Sequence, residues 1–127
     1  MRNLSWGEFD EAVFKLASTF EGVALNGVYG FPRGGLPLAV ALSHQLSIPL
    51  LKEPEEDCLF VDDVYETGKT LKQAWEYDGS KACTWMSKQT PTWFTTVEIT
   101  TEKEWLVFPW ESVADAQIDM EKYYASH

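Results

Sequence analysis

"LFVDDVYETGKTL", residues 59–71, is the stretch on which the fold and the chemistry of this chain turn. A continuous apolar run, as in a strand buried on both faces of a parallel sheet, ends at two carboxylates, Asp62 and Asp63, and soon reaches Thr67-Gly68-Lys69-Thr70. The phosphate loop Gly-x-x-x-x-Gly-Lys-Ser/Thr would need a glycine where Asp63 stands, and a carboxylate there would repel the phosphates that loop cradles. What survives is a shorter turn, Glu66 to Thr70, entering a helix. Its backbone N–H groups, the Thr67 and Thr70 hydroxyls and the helix dipole suit one phosphate monoester. Asp62 and Asp63 suit vicinal hydroxyls or a magnesium ion. Hydroxyls flanked by a phosphate describe a ribose 5-phosphate.

Working outward, the pattern alternates between helix and strand. Ser5 followed three residues later by Glu8 forms a capping box, and Phe9, Val13, Leu16 and Phe20 then share one helical face. A short strand over about residues 26–31 ends at Pro32-Arg33-Gly34-Gly35. "LPLAVALSHQL" (36–46) is helical in period and apolar nearly all round, which predicts burial beyond one sheet face. "SIPLL" (47–51) and "CLFVD" (58–62) read as strands, and "TLKQAWEY" (70–77) as a helix of about two turns ended by Asp78-Gly79. "KACTWMS", "FTTVEI" and "EWLVF" are further strands; Ser112 and Asp115 can cap a last helix, "VADAQIDMEKYY". The expectation is one α/β domain spanning 1–127, its central sheet mainly parallel with helices on both faces. Ligands of such sheets bind at the carboxyl ends of the strands, near the point where strand order reverses. The two junctions with unusual residues, 32–35 and 62–70, lie at such ends.

Composition excludes several classes of function. The formal charge is −10, from twenty acidic and ten basic residues. That balance disfavours a nucleic-acid backbone or an anionic membrane as partner. No apolar run has the length of a membrane span. Two histidines, His44 and His127, leave little for a histidine-based triad or a multi-histidine metal site. Cys58 and Cys83 lie in apolar stretches without metal-ligand spacing, as buried thiols of a reducing compartment do. The expected location is cytoplasmic.

"FVDDVYETGKTL" resembles the ribose-phosphate signature of type I phosphoribosyltransferases, and Arg33-Gly34-Gly35 resembles the pyrophosphate loop of that family. The resemblance runs from Trp6 to about Glu111 and implies a compact phosphoribosyltransferase fold. It implies that Arg33, Gly34 and Gly35 hold pyrophosphate, that Asp62 and Asp63 hold the ribose hydroxyls and Mg²⁺, and that Thr67, Gly68, Lys69 and Thr70 anchor the 5-phosphate. Glu66 stands where the family usually has an aspartate that meets the purine N7 proton. "WMSKQ" and "EWLVFPWE" are similar to the 6-oxopurine branch, particularly the xanthine-guanine enzymes. There a lysine contacts the 6-oxo oxygen, an aromatic ring stacks on the base, and the next carbonyl and a later carboxylate accept from its edge. Those roles fall on Lys88, Trp105, Leu106 and Glu111. An oxo group wants a cationic donor, a flat base an indole face, and an amidine-like edge acceptors.

The implied reaction joins phosphoribosyl pyrophosphate and a 6-oxopurine into a nucleoside monophosphate, in a homodimer or higher homo-oligomer. One departure stands out. Family enzymes usually carry a long mobile loop between residues 52 and 58, where this chain has only "EPEED". A site without that cover is open to water, which favours slow transfer or hydrolysis. A second reading follows: a weakly catalytic relative that binds nucleotide or donor as a regulator.

Overall fold

The computed structural model describes residues 1–126. Its elements in chain order are β1 (Arg2–Asn3), α1 (Trp6–Phe20), β2 (Val28–Gly30), α2 (Leu36–Leu46), β3 (Leu59–Tyr65), a 3₁₀ helix (Leu71–Glu76), β4 (Lys81–Ser87), β5 (Thr95–Ile99), β6 (Leu106–Val107) and α3 (Val113–Ser126). Four strands form the main sheet in the order β2-β3-β4-β5, every pair parallel. A separate two-stranded parallel sheet joins β1 to β6.

The expected strand at 47–51 survives only as a parallel bridge between Leu50 and Val28. Pro49 accepts from the Val28 N–H, and Leu51 donates to the Val28 carbonyl. That small contact sets the topology. After β2 the chain passes through α2 to the outer side of β2, then crosses back to build β3 on its inner side. Strand order therefore reverses between β2 and β3, which is where an open parallel sheet offers its crevice.

Strand alternation divides the core in two. Val28, Leu59, Val61, Cys83 and Trp85 face α1 and α2, joining Phe9, Ala12, Val13, Leu16, Phe20, Leu38, Ala39 and Leu42. Phe60 and Ala82 point the other way, against Phe31, Tyr65, Leu71 and Ala74 under the 3₁₀ helix. The α1 capping box is present: the Glu8 N–H donates to Ser5 Oγ at 3.1 Å, and the Ser5 N–H donates to Glu8 Oε1 at 3.2 Å. Both cysteines are free and buried, and burial pushes both thiols up.

Three further expectations change. α2 buries only Leu38, Ala39 and Leu42, while Leu36 and Val40 stay exposed; its other faces meet α1 or solvent rather than a second sheet layer. The segment after the threonine turn is a six-residue 3₁₀ helix, too short to carry the macrodipole of an α-helix. The "EWLVF" strand shrinks to Leu106–Val107, because β1 offers it a partner of only two residues. Among the described residues, no helix is long and apolar enough to cross a membrane.

Candidate functional site

β3 runs past the aspartates to Tyr65, so Asp62 and Asp63 sit within the strand's last turns of pleat rather than beyond its end. The Asp63 N–H donates to Asp62 Oδ1 at 2.9 Å, and the Val64 N–H donates to Asp63 Oδ1 at 2.8 Å. Burial, then the charge of Asp63 beside it, pushes the Asp62 carboxyl up to about 8. Burial raises Asp63 as well. Two adjoining, partly buried carboxyls resist ionising together, and a cation or hydroxyl partners would ease that cost.

The turn that follows is shaped by its own backbone. Gly68 adopts φ +85°, and a Cβ there would lie 2.1 Å from the Tyr65 hydroxyl, so both conformation and space demand glycine. The Lys69 N–H donates to Thr67 Oγ1 at 3.3 Å. Residues 62–71 line one cavity of about 330 Å³, which thus holds Asp62, Asp63, Glu66 and the whole Thr67–Thr70 turn. Its size admits a sugar phosphate. Backbone N–H groups and the two threonine hydroxyls are what the turn offers a phosphate, without the α-helix dipole that the sequence suggested.

The upstream junction meets this cavity at Asp63. A Cβ on Gly34 would stand 2.3 Å from Asp63 Oδ2, so the absence of a side chain lets the loop lie on the carboxylate. Arg33, Gly34 and Asp63 line a second cavity of about 510 Å³ with Trp110, Glu111, Ser112, Asp115, Ala116 and Asp119. Asp63 is the wall common to both. Gly35 does not join them: its N–H donates to the Phe31 carbonyl at 2.8 Å, and a Cβ on it would meet the Val61 carbonyl at 2.5 Å. Its role is close packing of the start of α2 on β3 rather than offering an N–H to a ligand.

The base-side residues are brought together less completely. Lys88 follows β4, its N–H donating to the Tyr65 carbonyl at 2.8 Å. Its ammonium donates to the Glu104 carbonyl at 3.0 Å and the Glu102 carbonyl at 3.4 Å, and lies 3.6 Å from Glu66 Oε1. Lys88 therefore links the phosphate turn to the 102–104 loop, and Gln89 adds a bond from Nε2 to the Glu66 carbonyl. The carbonyls of Trp105 and Val107 accept from Arg2 in β1 and from Leu4 just after it. Strand alternation turns the Leu106 carbonyl to the opposite side. The Trp105 ring packs on Tyr123 and Tyr124 of α3, at centroid distances of 5.5 and 6.4 Å.

Glu111, expected at the base edge, accepts from the Phe108 N–H through Oε1 at 2.8 Å and lines the Arg33 cavity. Trp110 is a core aromatic, stacked on Phe108 at 5.1 Å and packed on Phe9 and Trp85. Sequence reasoning missed α3 altogether as part of the site. Asp115 and Asp119, one turn apart, face the arginine loop, and nothing in their local pattern separates them from a solvated helix face.

The connector expected to lack a lid is pinned away from these cavities. Asn26 donates through its backbone N–H to Asp57 O at 2.7 Å and through Nδ2 to Glu56 O at 3.1 Å. The Asp57 N–H donates to Asp78 O at 2.9 Å. These partners precede β2 and β4, at the amino ends of the strands, while the aspartates and the turn lie at the carboxyl ends.

No protein-family model and no curated protein matches the chain. Solved structures do. A purine phosphoribosyltransferase from Pyrococcus horikoshii is 30% identical, with 87% of this chain and 93% of that one covered at a TM-score of 0.72. The xanthine-guanine-hypoxanthine phosphoribosyltransferase of Helicobacter pylori is 17% identical, with 99% of each chain covered and a TM-score of 0.72. An adenine-type enzyme of Giardia lamblia, solved with 9-deazaadenine, is 16% identical over 74% of this chain and 80% of that one, at a TM-score of 0.62.

Proposed function

The chain belongs to the phosphoribosyltransferase family, and from that premise we propose that it transfers the 5-phosphoribosyl group of phosphoribosyl pyrophosphate to a 6-oxopurine. The observation that carries the reading is the meeting of the two junctions: Gly34 lies against Asp63, and Asp63 walls both the phosphate-turn cavity and the Arg33 cavity. One donor molecule carries a 5-phosphate, two ring hydroxyls and a pyrophosphate. A turn, a carboxylate pair and an arginine loop in that order match those groups.

In this reading the bond between the anomeric carbon and pyrophosphate breaks, the base nitrogen bonds that carbon, and the base gives up a proton. Thr67–Thr70 hold the 5-phosphate, Asp62 and Asp63 accept from the ribose hydroxyls, and Arg33 with the Gly34 backbone receives the departing pyrophosphate. Glu66, 3.6 Å from Lys88, is placed to accept the proton of a base whose oxo group takes the ammonium. Trp105 supplies a stacking face and the Leu106 carbonyl an acceptor. The Asp62–Asp63 pair fits Mg²⁺: two adjoining carboxylates suit an ion that keeps waters and shares substrate oxygens. Among the described residues they are not part of a group of three or more metal-ligating side chains. When bound, the ion neutralises pyrophosphate charge, which matters more in a chain of charge −10.

The short connector supports the second reading, a weakly catalytic nucleotide-binding regulator, since only five residues separate Lys52 from Cys58 and the last two, Glu56 and Asp57, are held at the far end of the sheet. One experiment separates the two. Protein, Mg²⁺ and donor are incubated with guanine, xanthine, hypoxanthine or adenine, and nucleotide and pyrophosphate are followed together. Nucleotide formed from the oxopurines ahead of adenine, with that ranking lost in Lys88→Ala, supports the transferase. Preference for adenine in the unaltered protein overturns the base half. Tight nucleotide binding with no product from any purine hands the case to the regulator.

A further inference from the structure

The base-side loop has no regular structure of its own between β5 and β6, yet it supplies both carbonyls that hold the Lys88 ammonium. What holds the loop comes from the other end of the chain. Arg2, in β1, places its guanidinium among three carboxylates: it donates to Glu98 and to Glu8 (3.4 Å), and it lies 3.5 Å from Glu104 Oε1. Its backbone N–H donates to the Trp105 carbonyl at 2.8 Å. Glu104 is held from a second side, where Thr100 Oγ1 donates to the same Oε1 at 2.7 Å. The Thr100 N–H in turn donates to the Ser87 carbonyl, next to Lys88.

We propose that Arg2 is a positioning residue for the base half of the site, acting through Glu104 to fix the loop whose carbonyls aim Lys88. Arg2 touches no substrate. It clamps the side chain of Glu104, whose own carbonyl receives the ammonium at 3.0 Å, and it fixes the carbonyl of Trp105, the residue offered as the stacking face. The same guanidinium draws the Glu98 carboxyl below its ordinary range through their hydrogen bond. A lone exposed ion pair contributes little. Here one guanidinium serves three carboxylates while the backbone N–H of the same residue holds a loop carbonyl, a network whose members also join the loop to β5. The inference rests on the base-site reading above, and its test keeps the two apart.

Two probes distinguish the halves of the site: ribose 5-phosphate, which has no base, and guanosine 5′-monophosphate, which does. Calorimetry on the full chain compares the unaltered protein with Arg2→Met, Arg2→Lys, Glu104→Gln and Lys88→Ala. Arg2→Met is expected to weaken the guanosine monophosphate by roughly fivefold, the upper end for exposed ion pairs, with ribose 5-phosphate unchanged and Arg2→Lys recovering part of the loss. Glu104→Gln, which leaves β1 intact, is expected to reproduce the selective loss and covers the case in which Arg2→Met does not fold. An equal loss for both probes would mean a general structural role and overturn the proposal. So would a selective loss in Lys88→Ala that neither Arg2→Met nor Glu104→Gln shares, in which case the base-site reading stands alone. No selective loss in any variant, Lys88→Ala included, overturns both.

Discussion

Asp62→Asn should make the unliganded protein more stable while stopping its chemistry. The amide keeps the shape of the carboxylate but removes a charge that burial and Asp63 disfavour. The carboxyl is pushed up to about 8 in the folded chain, whereas in the unfolded chain it titrates near 4. The sign follows: the folded state holds the proton more tightly, so this contribution to stability is complete below about pH 4 and is lost as pH rises toward 8. A full conversion of that gap would give about 5 kcal/mol. The pair shares its proton and the side chain keeps some contact with water, so on the order of 2 kcal/mol is a sounder figure. For a chain of this length that corresponds to roughly 8 °C in Tm. Thermal melts by circular dichroism in chelator, from pH 4.5 to 8.5, should show the variant's advantage growing from near zero to that value. Nucleotide formation should fall to background in the same variant. A variant no more stable than the unaltered protein at pH 8.5 would refute the reasoning, because it would mean that the pair ionises at no cost in the fold.

On the proposed reading, Thr67→Ala or Thr70→Ala each removes a hydroxyl that bonds a charged phosphate, worth about 1.5–3 kcal/mol; nucleoside monophosphates should bind at least about tenfold more weakly by calorimetry, on a folded protein. Gly34→Ala puts a methyl 2.3 Å from Asp63 Oδ2, and displacing that carboxylate should raise the KM for donor roughly tenfold while shifting the KM for the base little. Purine monophosphates should bind in chelator, whereas engagement of the donor should require Mg²⁺ in the millimolar range, roughly as for ions held by few protein ligands; a donor titration with and without the metal decides this. Because the 52–57 connector is short and its end, Glu56 and Asp57, is pinned at the far end of the sheet, pyrophosphate release should exceed nucleotide formation at low purine and approach it as purine saturates, and strict coupling at all purine concentrations would show that water is excluded by other means.

The residues proposed to hold the donor were legible as one motif because they are contiguous. Nine residues, from Asp62 to Thr70, carry carboxylates, turn and hydroxyls, and local geometry alone folds them around one cavity. Gly68 could be read as a turn glycine from its neighbours, and the contact with Tyr65 only adds a second reason. The parallel sheet was legible for the same reason, since each strand announces itself by its own apolar run. What no local pattern states is which side of β2 the 47–51 segment joins; one bridge at Leu50 decides it and thereby creates the crevice. The base half is the converse case. Lys88 is held by the Glu102 and Glu104 carbonyls, Glu104 by Arg2 and Thr100, and Trp105 by Tyr123 and Tyr124; of these partners Arg2 is brought in by β1 and the two tyrosines by α3, far away in sequence. Glu111 illustrates this: the sequence offers it as an acceptor near a tryptophan, and only the fold shows that its Oε1 takes the Phe108 N–H. The asymmetry has a physical consequence. A turn fixed by its own backbone tolerates little change, whereas a loop fixed by dispersed side-chain contacts can shift with one substitution at any of them. Preference among bases should therefore respond to residues that never touch a base, while affinity for the ribose phosphate should not.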